Sequence, residues 1–201
     1  MIQAVVLDVG NVLIGLEFER AYRAASRLSG LAEDEIRRRL SDPNLARDYE
    51  TGRMSSLEFY KRCRDLLDLA IGFEEFGALW ADMFADKPLI DESLLVAAKQ
   101  HCPLLVASNT NELHFDYLLS KYPLFRFFDE LVLSYRVGAM KPDAAFFEAV
   151  VDRSGRRPEE LFFTDDVEAN IEGARSLGID AEVFVGEESL RRSLLERGLE
   201  V

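Results

Sequence analysis

The sequence predicts an α/β fold with a parallel sheet core, residues 1–15 and 87–201, and a small helical insertion, residues 16–86. The apolar run from Ile2 to Leu7, rich in β-branched residues, is typical of a strand buried on both faces of a parallel sheet. The insertion shows helical periodicity and no strand pattern. From residue 87 onward, short apolar runs alternate with amphipathic segments, which indicates right-handed crossovers on one sheet.

Five helices are predicted in the insertion, separated by turn and capping residues. Gly30 follows the first helix as a C-terminal stop. Ser55 and Glu58 have the spacing of a capping box at the start of the fourth. The predicted ranges are 17–28, 33–40, 45–50, 55–69 and 74–83.

Four further strands and five helices are predicted in the core. Pro142 precedes one of these helices, where proline suits the first turn, and Gly178 ends another. The predicted strands are 104–107, 131–133, 161–163 and 181–185, and the predicted helices are 89–101, 111–121, 143–153, 169–177 and 188–197.

The composition is that of an ordinary acidic globular protein. Lys plus Arg number 24 against 37 for Asp plus Glu, which gives a net charge of −13. We therefore expect no nucleic-acid partner, and no membrane partner either, since no apolar run approaches the length of a membrane span. Cys63 and Cys102 lie far apart, which suggests a reducing compartment and a cytoplasmic protein. The oligomeric state stays open.

Polar residues recur at the carboxyl ends of the predicted strands or just after them. Because ligands of open parallel sheets bind at the carboxyl ends of the strands, we expect these side chains to meet at one site. A lone aspartate after a strand is more often a turn former or helix cap, so the inference depends on the whole set. The set is Asp8, Ser108, Asn109, Lys141, Asp165 and Asp166.

These side chains suggest phosphoryl transfer. With a reference pKa of about 3.9, an aspartate such as Asp8 is ionised at neutral pH and can attack phosphorus without a helper base. A divalent cation between Asp8 and the acidic pair would cancel its repulsion from phosphate, and oxygen ligands favour Mg²⁺. Lys141 adds a second positive charge, while Ser108 and main-chain N–H groups can hold phosphoryl oxygens.

Four ordered motifs resemble those of the haloacid dehalogenase superfamily. They are Asp8-Val9-Gly10-Asn11-Val12, Ser108-Asn109-Thr110-Asn111, Lys141-Pro142 and Asp165-Asp166. The resemblance spans the chain and implies a Rossmann-like core whose helical insertion is a cap domain. Within the superfamily, the sequence most resembles the bacterial branch related to the α-D-glucose-1-phosphate phosphatases, which similarly has Asp-Asp-x-x-x-Asn-Ile, matched here by residues 165–171.

The resemblance implies a Mg²⁺-dependent phosphatase that acts on a small phosphorylated metabolite, such as an anomeric sugar 1-phosphate. It implies that Asp8 forms an aspartyl-phosphate intermediate and also binds Mg²⁺, with the main-chain carbonyl of Gly10 as another ligand. It further implies that Asp166 binds the metal directly and that Asp165 assists directly or through water.

The resemblance also implies that Ser108 and Asn109 bind phosphate and that Lys141 neutralises both the nucleophile and the phosphoryl group. Taken singly, these residues have simpler interpretations. Ser108 and Asn109 would be an ordinary helix cap and Lys141 a surface lysine. The pair Asp165-Asp166 would cap the helix that follows it.

Gly10 departs from the pattern of the superfamily. Most of its phosphatases have a second aspartate at this position, which protonates the leaving group and then activates water. Losing such a group typically costs about 10²- to 10⁴-fold in rate. Gly10 therefore favours substrates whose leaving oxygen is easy to expel, such as anomeric or acyl phosphates, over alkyl phosphates.

Two other functions stay open at this point. One is a metal-independent haloacid dehalogenase of the same fold, in which the aspartate attacks carbon; the acidic pair Asp165-Asp166 argues against it, because the dehalogenases that compare have uncharged residues there. The other is a catalytically weak, phosphate-binding regulatory protein. Periodicity does not identify which insertion residues face a substrate, and the candidates are Glu17, Arg47, Tyr49 and Glu50.

Overall fold

The computed structural model describes all 201 residues, and the chain forms seven strands in two sheets. The strands are β1 (Ala4–Leu7), β2 (Ile14–Leu16), β3 (Phe84–Pro88), β4 (Leu104–Ser108), β5 (Glu130–Leu133), β6 (Leu161–Asp165) and β7 (Asp180–Val183). Five of them form one sheet with the order β5-β4-β1-β6-β7, in which all neighbours are parallel. The predicted α/β fold with a Rossmann-like parallel core is therefore confirmed.

Eleven α-helices accompany these strands, and short 3₁₀ turns cover Pro123–Phe127 and Pro158–Glu160. None of the helices is long and apolar enough to cross a lipid bilayer. The helices are α1 (Phe18–Ser29), α2 (Glu33–Arg39), α3 (Pro43–Glu50), α4 (Ser56–Leu66), α5 (Phe73–Ala81), α6 (Glu92–Lys99), α7 (Glu112–Lys121), α8 (Ser134–Val137), α9 (Ala144–Ser154), α10 (Glu168–Ser176) and α11 (Glu187–Glu196).

The central strand β1 is buried on both faces because its side chains alternate between two hydrophobic clusters. Val5 and Leu7 lie in a cluster with buried residues of α6, α7 and α11. Ala4 and Val6 lie in a second cluster with buried residues of α9 and α10. Helices therefore cover both faces of the sheet. This explains why every residue of β1 is apolar instead of apolar and polar residues alternating along the strand.

The register of the sheet places the predicted polar residues at one edge. Leu7, the last residue of β1, is paired with Val106 of β4 and with Thr164 of β6. Asp8 therefore leaves β1 between the ends of the two neighbouring strands, where Ser108 and Asp165 lie.

The helical insertion has a hydrophobic core of its own. Twelve buried residues between Ala25 and Leu79 form it. The predicted capping box of α4 is present, since Ser55 Oγ accepts from the Glu58 main-chain N–H and the Glu58 carboxylate accepts from that of Ser55. A core made of insertion residues supports our proposal that residues 16–86 form a cap domain.

Two strands that the sequence does not predict lie at the chain crossings between core and insertion. β2 and β3 pair there as an antiparallel ribbon, and the predicted boundaries at residues 15/16 and 86/87 lie inside it. With three and five residues, these strands are too short for a clear alternation. Asp86-Lys87-Pro88 is a loop-like sequence whose extended conformation depends on tertiary pairing.

Smaller differences occur at helix ends. The fourth helix ends at Leu66 rather than at residue 69, and Asp68 follows it with a left-handed φ of 53°. Pro142 precedes α9 instead of occupying its first turn, because Asp143 lies at the N-cap position. The one-turn helix α8 was not predicted; four residues are too few to show a helical period.

Candidate active site

Lys141 lies at the centre of the site and is 3% exposed. Its Nζ atom is 2.7 Å from Asp8 Oδ1 and 2.5 Å from Asp165 Oδ2, and it donates to the main-chain carbonyl of Ala107 at 2.8 Å. These three acceptors match the three protons of the ammonium group. The structure therefore excludes the interpretation of Lys141 as an ordinary surface lysine.

Burial and the charge of the ion-pair partner shift the pKa values of Lys141 and Asp8 in opposite directions. Burial alone would lower the pKa of Lys141, but the carboxylates of Asp8 and Asp165 outweigh it and hold that pKa above its ordinary value. Burial raises the pKa of Asp8 to about 6; Lys141 opposes this rise and Asp165 adds to it. A further positive charge beside Asp8 would favour its ionised, nucleophilic form.

The side chain of Asn109 fixes the backbone of Lys141. Its Oδ1 accepts from the Lys141 main-chain N–H at 2.8 Å, and its Nδ2 donates to the Lys141 carbonyl at 3.0 Å. This use of the amide was not predicted, and it leaves Asn109 one Nδ2 proton and its main-chain N–H for a ligand. Ser108 is 3% exposed, and its hydroxyl makes only a 3.5 Å contact with the Asn109 carbonyl.

The two adjacent aspartates after β6 have different environments. Asp165 is fully buried, and its Oδ1 accepts from Val167 N–H and from Asn170 Nδ2, both at 2.9 Å, while Oδ2 contacts Lys141. Asp166 is partly exposed and accepts only from Asn11 Nδ2, at 3.0 Å. Asp165 therefore has its hydrogen-bonding capacity largely used, whereas Asp166 keeps free oxygen lone pairs.

Three carboxylates at this edge of the sheet fit a divalent cation. One oxygen from each of Asp8, Asp165 and Asp166 lies within 4.8 Å of the others. A single ammonium, that of Lys141, pairs with two of these three acids, so the cluster retains negative charge. Oxygen donors of this kind suit hard cations such as Mg²⁺. Gly10, the predicted carbonyl ligand, lies two residues after Asp8 on the same loop.

A cavity of about 290 Å³ adjoins this cluster and extends between the core and the insertion. Ser108, Asn109 and Gly10 line it on the core side. Its remaining walls are mostly apolar. They come from α1, the residue after α2, α3, α5, α7 and the chain around β2 and β3. They include Leu16, Phe18, Tyr22, Leu40, Glu50, Trp80, Phe84 and His114.

Of the four insertion residues named from the sequence, only Glu50 lines this cavity. No protein group hydrogen-bonds its carboxylate, and burial raises its pKa to about 7. The others have partners elsewhere: Glu17 contacts Arg20, Arg47 contacts Asp143 across to the core, and Tyr49 is buried against Ser56.

Asn11 and Asn170 belong to two of the motifs, but the sequence assigns no role to either residue. The structure shows that they hold Asp166 and Asp165, respectively. Asn170 lies five residues after Asp165, in the first turn of the helix that follows the strand end, and this position was the available signal.

The chain matches the haloacid dehalogenase-like hydrolase family over residues 2–178. The protein belongs to that family. This hydrolase is 28% identical over 187 residues to the D-ribitol-5-phosphate phosphatase of Bacteroides thetaiotaomicron, covering 90% of each chain. It is 26% identical over 202 residues to a phosphorylated carbohydrates phosphatase of Thermotoga maritima, covering 98% of this chain and 91% of the relative.

The fold of this hydrolase is also that of a solved family member. A haloacid dehalogenase family enzyme from Bacteroides thetaiotaomicron, in complex with magnesium and inorganic phosphate, superimposes with a TM-score of 0.83 at 25% identity and covers 91% of this chain and 94% of its own. The named relatives are phosphatases, in agreement with the prediction of a hydrolase that acts on phosphoric monoesters. The superfamily is thus confirmed, while the resemblance to the glucose-1-phosphate branch stays a prediction.

Proposed function

We propose that this hydrolase is a Mg²⁺-dependent phosphatase of a small phosphorylated carbohydrate and acts through an aspartyl-phosphate on Asp8. The observation that carries the proposal is the contact of one buried ammonium, Lys141, with two carboxylates at the carboxyl edge of the sheet. Relatives that act on phosphorylated carbohydrates, and a related structure with magnesium and phosphate, support the same chemistry.

In the first step, Asp8 attacks phosphorus and the bond from phosphorus to the leaving oxygen breaks. Lys141 orients the carboxylate from 2.7 Å and offsets the negative charge that collects between nucleophile and phosphate. Asn109 keeps this ammonium in place by holding its backbone at two points. In the second step, water attacks phosphorus, the bond between phosphorus and Asp8 breaks, and inorganic phosphate leaves.

Mg²⁺ would be held by Asp8, Asp166 and the carbonyl of Gly10, with Asp165 assisting. When bound, it supplies the positive charge that lets a carboxylate approach a phosphate dianion. The free lone pairs of Asp166 suit direct ligation, whereas Asp165 is engaged with Lys141, Val167 and Asn170. We assign phosphate binding to the Ser108 hydroxyl and to the main-chain N–H of Asn109.

The cavity limits the substrate to a small metabolite, because its volume is about 290 Å³. Aromatic and aliphatic walls beside a few polar groups suit the C–H faces and hydroxyls of a sugar or polyol. If no other side chain supplied a proton, Gly10 would predict faster hydrolysis of anomeric or acyl phosphates than of alkyl phosphates. Equal rates on anomeric and alkyl esters would remove that argument.

A substrate panel tests the proposal. Purified protein with Mg²⁺ is assayed for phosphate release from sugar, polyol, nucleotide and acid phosphates, beside Asp8→Asn and the exposed-site control Asp34→Asn. We expect turnover of carbohydrate phosphates by the wild type and the control, and none by Asp8→Asn. Phosphate release that persists after complete chelation of divalent metal would overturn the Mg²⁺-dependent mechanism. Equal turnover by Asp8→Asn would reveal a contaminating phosphatase.

A further inference from the structure

The proposed reaction needs a proton donor that the loop after β1 does not supply. The leaving oxygen of an alkyl or polyol phosphate must be protonated, and Gly10 has no side chain to do so. The space beside Gly10 is filled, because a Cβ atom there would lie 2.9 Å from Leu16 Cδ1. A replacement must therefore come from another wall of the cavity.

Three titratable side chains line the cavity: Tyr22, His114 and Glu50. Both ring nitrogens of His114 are engaged, Nδ1 with Asn111 and Nε2 with the Trp80 carbonyl, and burial lowers its pKa to about 4. Phenols as a class are far weaker acids than carboxyl groups, which disfavours Tyr22 as the donor. Glu50 is the only one of the three with a carboxyl group, and that group has no hydrogen-bond or ion-pair partner in the protein.

Two contacts with the core hold the end of α3 that carries Glu50. Arg47, one turn earlier, forms a 3.1 Å ion pair with Asp143, next to the Lys141-Pro142 motif. Gly52, two residues later, lies so close to the main-chain carbonyl of Tyr135 that a Cβ atom would not fit. Glu50 is therefore fixed over the same cavity that Gly10, Ser108 and Asn109 line from the core side.

We infer that Glu50 is the general acid and base of this hydrolase and supplies from the insertion the group that Gly10 lacks. The inference rests on the proposed phosphatase function. As Asp8 attacks and the P–O bond of the ester breaks, the carboxyl proton of Glu50 passes to the leaving oxygen and an alcohol departs. Water then attacks phosphorus, gives one proton to the Glu50 carboxylate, and releases inorganic phosphate from Asp8.

The environment of Glu50 suits both halves of this cycle. Burial raises its pKa to about 7, so protonated and ionised forms coexist at neutral pH. An acid and base works best when its pKa lies near the working pH. The other charged groups of α3 are directed elsewhere, since Arg47 pairs with Asp143 and Asp48 with Arg53.

The test uses the full-length Mg²⁺-loaded enzyme and Glu50→Gln, which keeps the shape of the side chain and removes its proton. Steady-state kinetics are measured on D-ribitol 5-phosphate, an alkyl ester, and on p-nitrophenyl phosphate, whose leaving group departs unprotonated. We expect kcat/KM for the alkyl ester to fall about 10²- to 10⁴-fold and kcat/KM for the aryl ester to change little. On the aryl ester, kcat and KM should fall together, with a burst of p-nitrophenolate, because phosphoenzyme hydrolysis lacks its base.

Asp48→Asn is the matched control, since it removes a carboxylate from the same helix outside the cavity, and we expect wild-type kinetics. Equal losses on both esters, no loss on either, or a wild type that cleaves only the aryl ester would each overturn the inference. Asp8→Asn distinguishes failure of the proposed phosphatase function from failure of the role of Glu50. If Asp8→Asn is inactive while Glu50→Gln matches the wild type, the phosphatase function holds and the role of Glu50 fails.

Discussion

The side-chain amide of Asn11 donates a 3.0 Å hydrogen bond to the carboxylate of Asp166, 155 residues away along the chain. The same side chain accepts from the main-chain N–H of Leu16 at 3.0 Å, in the strand that leads into the insertion. Asn11 has a φ of 53°, in the left-handed region that asparagine adopts more readily than most residues. One amide thus connects the more exposed acid of the candidate metal site to the entrance of the insertion.

Asn11→Gly should weaken Mg²⁺ binding about 10- to 100-fold, as expected for loss of a group that orients a metal-binding carboxylate. Glycine accepts the left-handed backbone, so the unfolding temperature should change little. Isothermal titration calorimetry with Mg²⁺ measures the affinity. Asp68→Gly is the control, because Asp68 shares the φ of 53° but pairs with Arg39 away from the site. Wild-type affinity in Asn11→Gly would contradict this role.

Lys141→Met should lower the free energy of unfolding by about 3–5 kcal/mol, because it leaves Asp8 and Asp165 buried without their shared cation. Denaturant unfolding without added metal measures the loss. Lys121→Met removes a lysine paired with the exposed Asp86, where the expected cost is at most about 1 kcal/mol. Similar costs for the two variants would show that the buried cluster contributes no more than a surface pair.

The sheet and the approach of Asp8 to Asp165 could be predicted from sequence because both follow from strand periodicity. Lys141, which lies beyond α8, was placed with them by its motif. β1, β4 and β6 are buried on both faces, so their apolar runs are clear, and parallel pairing then brings their polar ends together. Asp8, Lys141 and Asp165 were expected at one site, and the structure places them in contact.

The supporting hydrogen bonds could not be predicted in the same way. Asn109 could bind a ligand directly or hold the backbone that carries the lysine, and both uses need the same residue type at the same strand end. Asn11 likewise acts on a carboxylate far along the chain. Such roles depend on side-chain direction in three dimensions, which one-dimensional spacing does not contain.

The residues of the insertion that line the cavity could not be predicted from the sequence either. Arg47, Tyr49 and Glu50 are neighbours on α3, yet one pairs with the core, one fills the interior of the insertion and one lines the cavity. Helical periodicity separates buried from exposed faces but does not distinguish a face that meets solvent from one that meets a cavity.

Gly173→Ala should lower the free energy of unfolding by about 1–3 kcal/mol through overpacking. Its Cβ atom would lie 2.8 Å from the Pro142 carbonyl oxygen and 2.9 Å from Phe147, so α10 would have to move away from the turn that carries Lys141. Gly77→Ala is the matched control. A Cβ atom at this helical glycine would lie 3.7 Å from Leu113 Cδ2, an ordinary contact, so alanine should raise the free energy of unfolding by about 0.5–1 kcal/mol. Thermal unfolding of both variants measures the difference, and a shift of the same sign in both would contradict the packing argument.

Glu50→Gln should stabilise the folded protein at high pH but not at low pH. Burial raises the pKa of Glu50 from 4.5 to about 7, so the contribution of this carboxyl to stability is present below pH 4.5 and is lost as the pH rises through 7. Glutamine stays neutral, and the gain of the variant over the wild type should grow across this window to at most about 3 kcal/mol. The other titratable groups lining the cavity, Tyr22 and His114, are common to both proteins. Urea unfolding at pH 4 and pH 8 measures the gain in the free energy of unfolding. Glu148→Gln, at an exposed position, is the control and should show no such trend. A gain independent of pH would mean that Glu50 is as well hydrated in the folded protein as in the unfolded chain.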